Sequence, residues 1–137
     1  NGSVTRDRHW NDQWHFAMAR IANACRANGI RAIDGPFADF GDQEGYLASA
    51  RRAAALGFEG KWAIHPSQVD LANQVFTPTP EQAAWASRTL SALEAAAQQG
   101  NGAIGEKGVL IDLAHAKLAH SIQARLDHIQ SVTSAKR

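Results

Sequence analysis

The sequence has few of the features that mark a secreted, membrane-bound or zinc-stabilised protein. Its 137 residues include a single cysteine, Cys25, which excludes an internal disulfide and argues against a structural zinc site. No apolar run approaches the roughly 20 residues that a membrane span needs, and no signal-peptide pattern occurs. These absences predict a soluble cytoplasmic protein with no membrane partner.

An excess of charge of one sign is also absent. Fourteen Lys and Arg residues stand against 13 Asp and Glu, so the net charge is +1, and there is no basic block. Binding of nucleic acid through a broad electrostatic surface needs such a block, and we therefore expect no nucleic-acid partner. The remaining composition, 45% apolar and 20% charged, is typical of a globular protein.

Helical and extended patterns alternate along the first half of the chain. One predicted helix face carries Trp14, Met18, Ile21, Ala22 and Cys25 at spacings of three and four. Asn28-Gly29 is a typical helix end. The segments "IRAID" (30–34) and "KWAIH" (61–65) predict short strands, with a helix over residues 43–56 between them. Strands separated by a helix are expected to pair in parallel.

Helices predominate in the second half. Ser67 is a candidate N-cap of a short helix, and "TPTPEQ" predicts a capping box between Thr79 and Gln82 with proline at the first helical position. "QQGNGAIGEKG" is predicted to be an irregular break, and Asp112 to cap a last helix that begins near Leu113. Two strands cannot form a covered parallel sheet alone. We therefore expect either completion by another chain or the last third of a (β/α)8 barrel, which needs about 250 residues.

Polar residues follow both predicted strands, where ligands of α/β folds bind. The two groups are Asp34-Gly35-Pro36-Phe37 with Asp39 and Asp42, and His65-Pro66-Ser67-Gln68. Asp34 and Asp42 have an alternative role as caps of turns or of the next helix. The acids at 34, 39 and 42 have Mg²⁺-binding oxygens, but their spacing matches no calcium loop. His65 is predicted to be half-buried, and it has no second metal-ligating residue at a suitable spacing.

Four segments together resemble one enzyme family. "AIDGPFADFGDQEG", "GFEGKWAIHPSQV", "VFTPTPEQ" and "GAIGEKGVLID" are similar, in order and spacing, to the malyl-CoA lyase and citrate lyase beta-subunit-like family. The resemblance covers about residues 12–126. It implies the C-terminal portion of a (β/α)8 TIM barrel. Residues 1–78 are then the last two or so β/α units, and residues 79–137 a C-terminal helical lid or extension.

The resemblance also implies an activity. It is the Mg²⁺-dependent, reversible Claisen cleavage of malyl-CoA or β-methylmalyl-CoA to glyoxylate and acetyl-CoA or propionyl-CoA. The alternatives are a citryl-CoA lyase, a malyl-CoA thioesterase, or a non-catalytic module for CoA binding or oligomerisation. No segment matches the family's metal-ligand strands. We expect the Mg²⁺ ligands in an N-terminal part of the same gene product that was lost by truncation, cleavage or disorder. A split enzyme with a separate N-terminal chain is the alternative.

The resemblance assigns roles to particular residues. Asp112, in Gly108-Val109-Leu110-Ile111-Asp112, matches the acid that completes a neighbouring subunit's site as general acid and base. This implies a homo-oligomer, a trimer or hexamer. Two segments are implied to bind the acyl-CoA: a first loop segment (Asp34, Gly35, Pro36 and Phe37) and a second loop segment (Ile64, His65 and Pro66). Glu106-Lys107-Gly108 replaces an Asp-Gly pair that is frequent in the family, and Leu110 replaces a usual Met.

Overall fold

The computed structural model describes residues 13–98, 104–106 and 109–135, and within them the protein is a mostly helical α/β structure. The elements in chain order are α1 (His15–Ala27), β1 (Ile33–Asp34), α2 (Gln43–Ala55), β2 (Gly60–Lys61), α3 (Ser67–Phe76), α4 (Pro80–Gln98), β3 (Ile104–Glu106), β4 (Val109–Ile111) and α5 (Leu113–Ser134). The chain divides between Phe76 and Thr77 into two compact units. Among the described helices, none is long and apolar enough to cross a membrane. The predicted α/β class is confirmed.

The first unit contains a parallel strand pair connected through a helix, as the sequence predicts. β1 and β2 pair in parallel, with Ile33 opposite Gly60 and Asp34 opposite Lys61. Each strand has two residues, whereas "IRAID" and "KWAIH" predict five. The backbone groups at the outer ends of these segments bond to groups outside the strand pair. Ile30 N–H donates to Cys25 O at the end of α1 (3.0 Å), and Ile64 N–H donates to Gln68 Oε1 (2.8 Å).

Small side chains let the helices of the first unit approach closely. Its core consists of Ala22, Ala32, Ala53 and Phe58, with Met18, Cys25, Leu56 and Phe76 packed against it. Gly29 (φ +66°) and Gly57 (φ +98°) follow α1 and α2 in left-handed conformations that favour glycine at helix ends. Asp42 caps α2 by accepting the Gly45 N–H at 2.9 Å, which confirms its predicted capping role.

Two predictions about side chains and caps of the first unit are wrong. Trp14, which we placed on the apolar face of a helix, is 51% exposed, and Trp62, within the predicted second strand, is 60% exposed. Trp14 is the residue before α1, and Trp62 follows the last paired residue of β2, so both lie at the margins of the packed elements. Ser67 is the first residue of α3 rather than the residue before it, where an N-cap stands.

The second unit is formed by α4, α5 and a strand pair. The first turn of α4 contains the predicted capping box. Thr79 N–H donates to Gln82 Oε1 (2.9 Å), and Gln82 N–H donates to Thr79 Oγ1 (3.2 Å). On α5, Leu118 is 55% exposed, whereas Ala119 is fully buried. The buried face of α5 therefore includes the next position along the helix.

β3 replaces part of the predicted irregular break, and β4 follows the break. They pair in antiparallel fashion, with Ile104 opposite Ile111 and Glu106 opposite Val109. Each strand has three residues, fewer than the four to eight from which an alternating pattern is recognised. The rest of the predicted break, residues 99–103 and 107–108, lies outside the described residues. The strand pair leads directly into Asp112 and α5.

Candidate functional site

The structure brings the first and second loop segments together beyond the ends of β1 and β2. Their register places Asp34 opposite Lys61, so both strands end at the same edge, where α/β folds bind ligands. The fully buried Gln68 joins the two segments through its side-chain amide. Its Nε2 donates to Phe37 O (2.9 Å), and its Oε1 accepts the Ile64 N–H (2.8 Å).

Lys61 fixes the start of the first loop segment. Its Nζ donates to Asp34 Oδ2 (2.6 Å) and to Gly35 O (2.9 Å). The Lys61 and Asp34 side chains are only 3% and 15% exposed. Nζ also lies 5.8 Å from the ring centre of the buried Tyr46. Asp34 is therefore held in an internal ion pair, and sequence reasoning missed Lys61, Tyr46 and the bridging role of Gln68.

Tyr46 lies beneath both loop segments. Its hydroxyl donates to Trp62 O (3.3 Å), and its ring contacts Phe37 edge-on, with centroids 6.2 Å apart. Burial raises the pKa of the Tyr46 hydroxyl, and the nearby Asp34 carboxylate raises it further. Tyr46 is consequently a neutral hydrogen-bond donor at neutral pH, and it supports the loop segments from the protein side.

The second loop segment is more exposed than predicted. His65, expected to be half-buried, is exposed and stacks on Phe40, with centroids 4.5 Å apart and an interplanar angle of 17°. Its Nδ1 accepts the Ser67 N–H (3.2 Å) and lies 2.8 Å from Ser67 Oγ. These contacts orient the imidazole at the beginning of α3. Ile64 and Pro66 are exposed beside it, because the segment has left the paired part of β2.

Gly35 gives the first loop segment an open backbone. A Cβ atom added there would meet no atom within 4 Å, and its φ lies outside the left-handed region. The described structure therefore does not itself require glycine at this position. The absence of a side chain leaves the backbone accessible to a ligand.

The three acids at the end of β1 and in the loop after it, Asp34, Asp39 and Asp42, do not form a metal site. Asp39 Oδ1 accepts the N–H groups of Gly41 (3.0 Å) and Asp42 (3.2 Å). Asp42 caps α2, and Asp34 is paired with Lys61. No group of three or more His, Cys, Asp or Glu residues could hold a metal ion in the part of the chain that the structure describes. These residues therefore do not fit a Mg²⁺ site.

Asp112 lies in the second unit, between β4 and α5. Its extended backbone (φ −133°, ψ −169°) makes it the N-cap of α5, as the sequence predicts. Asp112 Oδ1 accepts the N–H groups of Ala114 (2.9 Å) and His115 (3.4 Å), and His115 Nδ1 lies 3.0 Å from the same oxygen. The Asp112 side chain is 48% exposed. The carboxylate is therefore held in a fixed orientation and remains accessible.

His115 lowers the pKa of the Asp112 carboxyl group. The hydrogen bond between the Asp112 carboxylate and the His115 side chain, followed by the N–H groups of Ala114 and His115, lowers the pKa of Asp112 below its usual 3.8. Asp112 is thus ionised at neutral pH and can accept a proton. Sequence reasoning missed His115. The signal was its place three residues after an acidic cap, where capping boxes usually have Glu or Gln.

We expect His115→Ala to raise the pKa of Asp112 toward 3.8, because the largest cause of its lowering is removed. Carboxyl NMR with ¹³C-labelled aspartate would measure this, with Asp112→Asn used to assign the signal. A lowered folded-state pKa contributes stability above pH 3.8 that is lost as the pH falls through the folded value. His120→Ala, on the same helix, is the matched control. An equal rise in both variants would contradict the role of His115.

The chain is similar in sequence to a family of aldolases and lyases. Residues 3–66 match the family model described as HpcH/HpaI aldolase/citrate lyase. The chain is 52% identical over 124 residues to an L-malyl-CoA/beta-methylmalyl-CoA lyase of Cereibacter sphaeroides, covering 90% of this chain and 39% of that protein. It is 40% identical over 107 residues to the mitochondrial citramalyl-CoA lyase of Rattus norvegicus, covering 78% and 32%.

A solved structure has a similar fold. Protein CitE from Mycobacterium tuberculosis, in complex with magnesium, acetoacetate and coenzyme A, matches with a TM-score of 0.70 and 32% identity. The match covers 87% of this chain and 43% of that one. The chain thus spans about two fifths of the length of the first of these relatives. The family-model match includes both loop segments but ends before Asp112.

Proposed function

Because this chain belongs to the HpcH/HpaI aldolase/citrate lyase family, we propose that the whole protein is a Mg²⁺-dependent CoA-ester lyase. Its proposed reaction is the reversible Claisen cleavage of malyl-CoA or β-methylmalyl-CoA to glyoxylate and acetyl-CoA or propionyl-CoA. The observation that carries this proposal is the 52% identity, over 90% of the chain, to an L-malyl-CoA/beta-methylmalyl-CoA lyase. Since the chain spans 39% of that relative, the activity is assigned to the whole protein.

The proposed fold of the whole protein is a (β/α)8 barrel, with this chain as its C-terminal portion. The parallel β1–α2–β2 unit and the TM-score of 0.70 to the CitE structure support this proposal. The assignment of residues 1–78 to the last barrel units and of residues 79–137 to a helical lid stays a prediction, as does the cytoplasmic location.

The two loop segments are the proposed contact surface for the acyl-CoA. Gly35 supplies an open backbone, and the half-exposed Ile64 supplies apolar surface for a pantetheine chain. Pro36, His65 and Pro66 are exposed on the same segments. Asp34 is engaged by Lys61, and its proposed contribution is therefore to hold the segment in place.

Asp112 is the proposed proton-transfer group. An ionised, oriented and accessible carboxylate suits a general base, which here removes a proton from the α-carbon of the thioester, next to its carbonyl group, during condensation. In the cleavage direction the protonated acid returns that proton. We propose that Asp112 does so in the site of a neighbouring subunit of a homo-oligomer. The Mg²⁺ ligands are proposed to lie outside the described residues, because the acids after β1 have internal partners.

Incubation of the whole protein with malyl-CoA and Mg²⁺ tests the proposed function. We expect stoichiometric glyoxylate and acetyl-CoA, detected as the phenylhydrazone and by chromatography. Free malate and CoA without glyoxylate would identify a thioesterase instead. Faster turnover of citryl-CoA, with release of oxaloacetate, would favour the citrate lyase beta-like alternative. Binding of CoA without turnover of any ester would indicate a non-catalytic module.

A further inference from the structure

Gln68 occupies the point at which the pairing of β1 and β2 gives way to the loop segments. The last residue pair is Asp34 with Lys61, and the Trp62 N–H still donates to Asp34 O (3.1 Å). Beyond that bond, the Gln68 amide lies between Phe37 O and Ile64 N–H (2.9 and 2.8 Å). The side chain therefore connects the two loop segments where the direct backbone pairing of the strands has ended.

The bridge has little freedom to move. Gln68 is fully buried, and its amide uses both the donor and the acceptor end, as buried polar groups must. Gln68 is the second residue of α3, and its own N–H donates to His65 O (3.0 Å). A side chain mounted on a helix and satisfied at both ends holds its partners more closely than a loop could alone.

We propose that Gln68 is a positioning residue for acyl-CoA binding. It sets the separation between Phe37 and Ile64, and thereby the width of the surface on which the thioester lies. This inference rests on the proposed function. Being buried, Gln68 acts through the two loop segments rather than by touching substrate. Its loss should therefore weaken acyl-CoA binding selectively and leave glyoxylate binding and the proton-transfer step nearly unchanged.

Kinetics of Gln68→Met in the whole protein tests the proposal, because methionine has a similar length and removes both hydrogen bonds. In the condensation direction, we expect the KM for acetyl-CoA to rise about tenfold or more, since small misplacements of binding groups have effects of this size. The kcat and the KM for glyoxylate should change by less than about threefold. If Gln68→Met does not fold, Gln68→Glu carries the same test. It keeps an acceptor for the Ile64 N–H and loses the donor to Phe37 O.

Phe58→Leu is the matched control, because Phe58 is buried (6% exposed) in the core of the same unit and makes no bridge between the loop segments. An unchanged KM for acetyl-CoA in the Gln68 variant overturns the inference. An equal rise in Phe58→Leu, or in the KM for glyoxylate, also overturns it, because general destabilisation would then explain the effect. A wild-type protein that neither cleaves malyl-CoA nor binds CoA removes the proposed function and this inference together. An active wild type with an unaffected variant removes the inference alone.

Discussion

Asp112→Asn is expected to lower the kcat for malyl-CoA cleavage by about 10²–10⁴-fold, the usual contribution of a general acid or base. Asparagine caps helices as well as aspartate does, so the hydrogen bond from Ala114 N–H (2.9 Å) can persist, and the fold with it. An amide cannot take up the transferred proton. Steady-state kinetics and the thermal midpoint of the whole protein separate the two effects, and we expect only the first to change.

Asp42→Asn makes the same chemical change at another helix cap. Asp42 accepts the Gly45 N–H (2.9 Å) at the start of α2, and it has no proposed part in proton transfer. We expect its kcat to stay close to that of the wild type. If both variants lose turnover equally, the loss reflects capping rather than chemistry. If Asp112→Asn turns over normally, Asp112 is not the proton-transfer group.

Features that depend on near neighbours in the sequence could be predicted well. The capping box of Thr79 and Gln82 and the caps at Asp42 and Asp112 each involve residues within three positions of one another. The spacing of these residues already determines which backbone N–H groups their side chains reach. The parallel pairing of β1 and β2 was predictable for a different reason, since strands that alternate with helices usually pair in parallel through crossover connections.

Features that depend on distant residues could not be predicted from pattern. Lys61 and Asp34 are 27 positions apart, and Gln68 and Phe37 are 31 apart. Tyr46 and Trp62 are 16 apart. A single sequence contains no signal that pairs such residues. The two loop segments were predicted through family resemblance, whereas the side chains that hold them together came only from the structure. The proposed catalytic role of Asp112 likewise comes from resemblance, and the geometry of its carboxylate is compatible with that role.

Lys61→Met is expected to destabilise the protein by about 3–5 kcal/mol, the typical cost of breaking a buried ion pair by removing one partner. The Asp34 side chain is only 15% exposed, and it would lose its 2.6 Å partner, while Gly35 O would lose its donor as well. The free energy of unfolding from urea titration of the whole protein measures this cost.

A second substitution should recover much of that loss. In the Lys61→Met, Asp34→Asn double variant, no unpaired charge stays buried, so we expect it to be more stable than Lys61→Met alone. Arg31→Met is the control. Arg31 and Glu59 form a longer pair (3.8 Å), and their side chains are 67% and 34% exposed, so its loss should cost at most about 1 kcal/mol. If Lys61→Met costs no more than Arg31→Met, the ion pair does not stabilise the start of the first loop segment. A double variant less stable than Lys61→Met would contradict the buried-charge explanation, because Asp34→Asn removes the charge and keeps an oxygen that can accept the Gly35 N–H (2.9 Å).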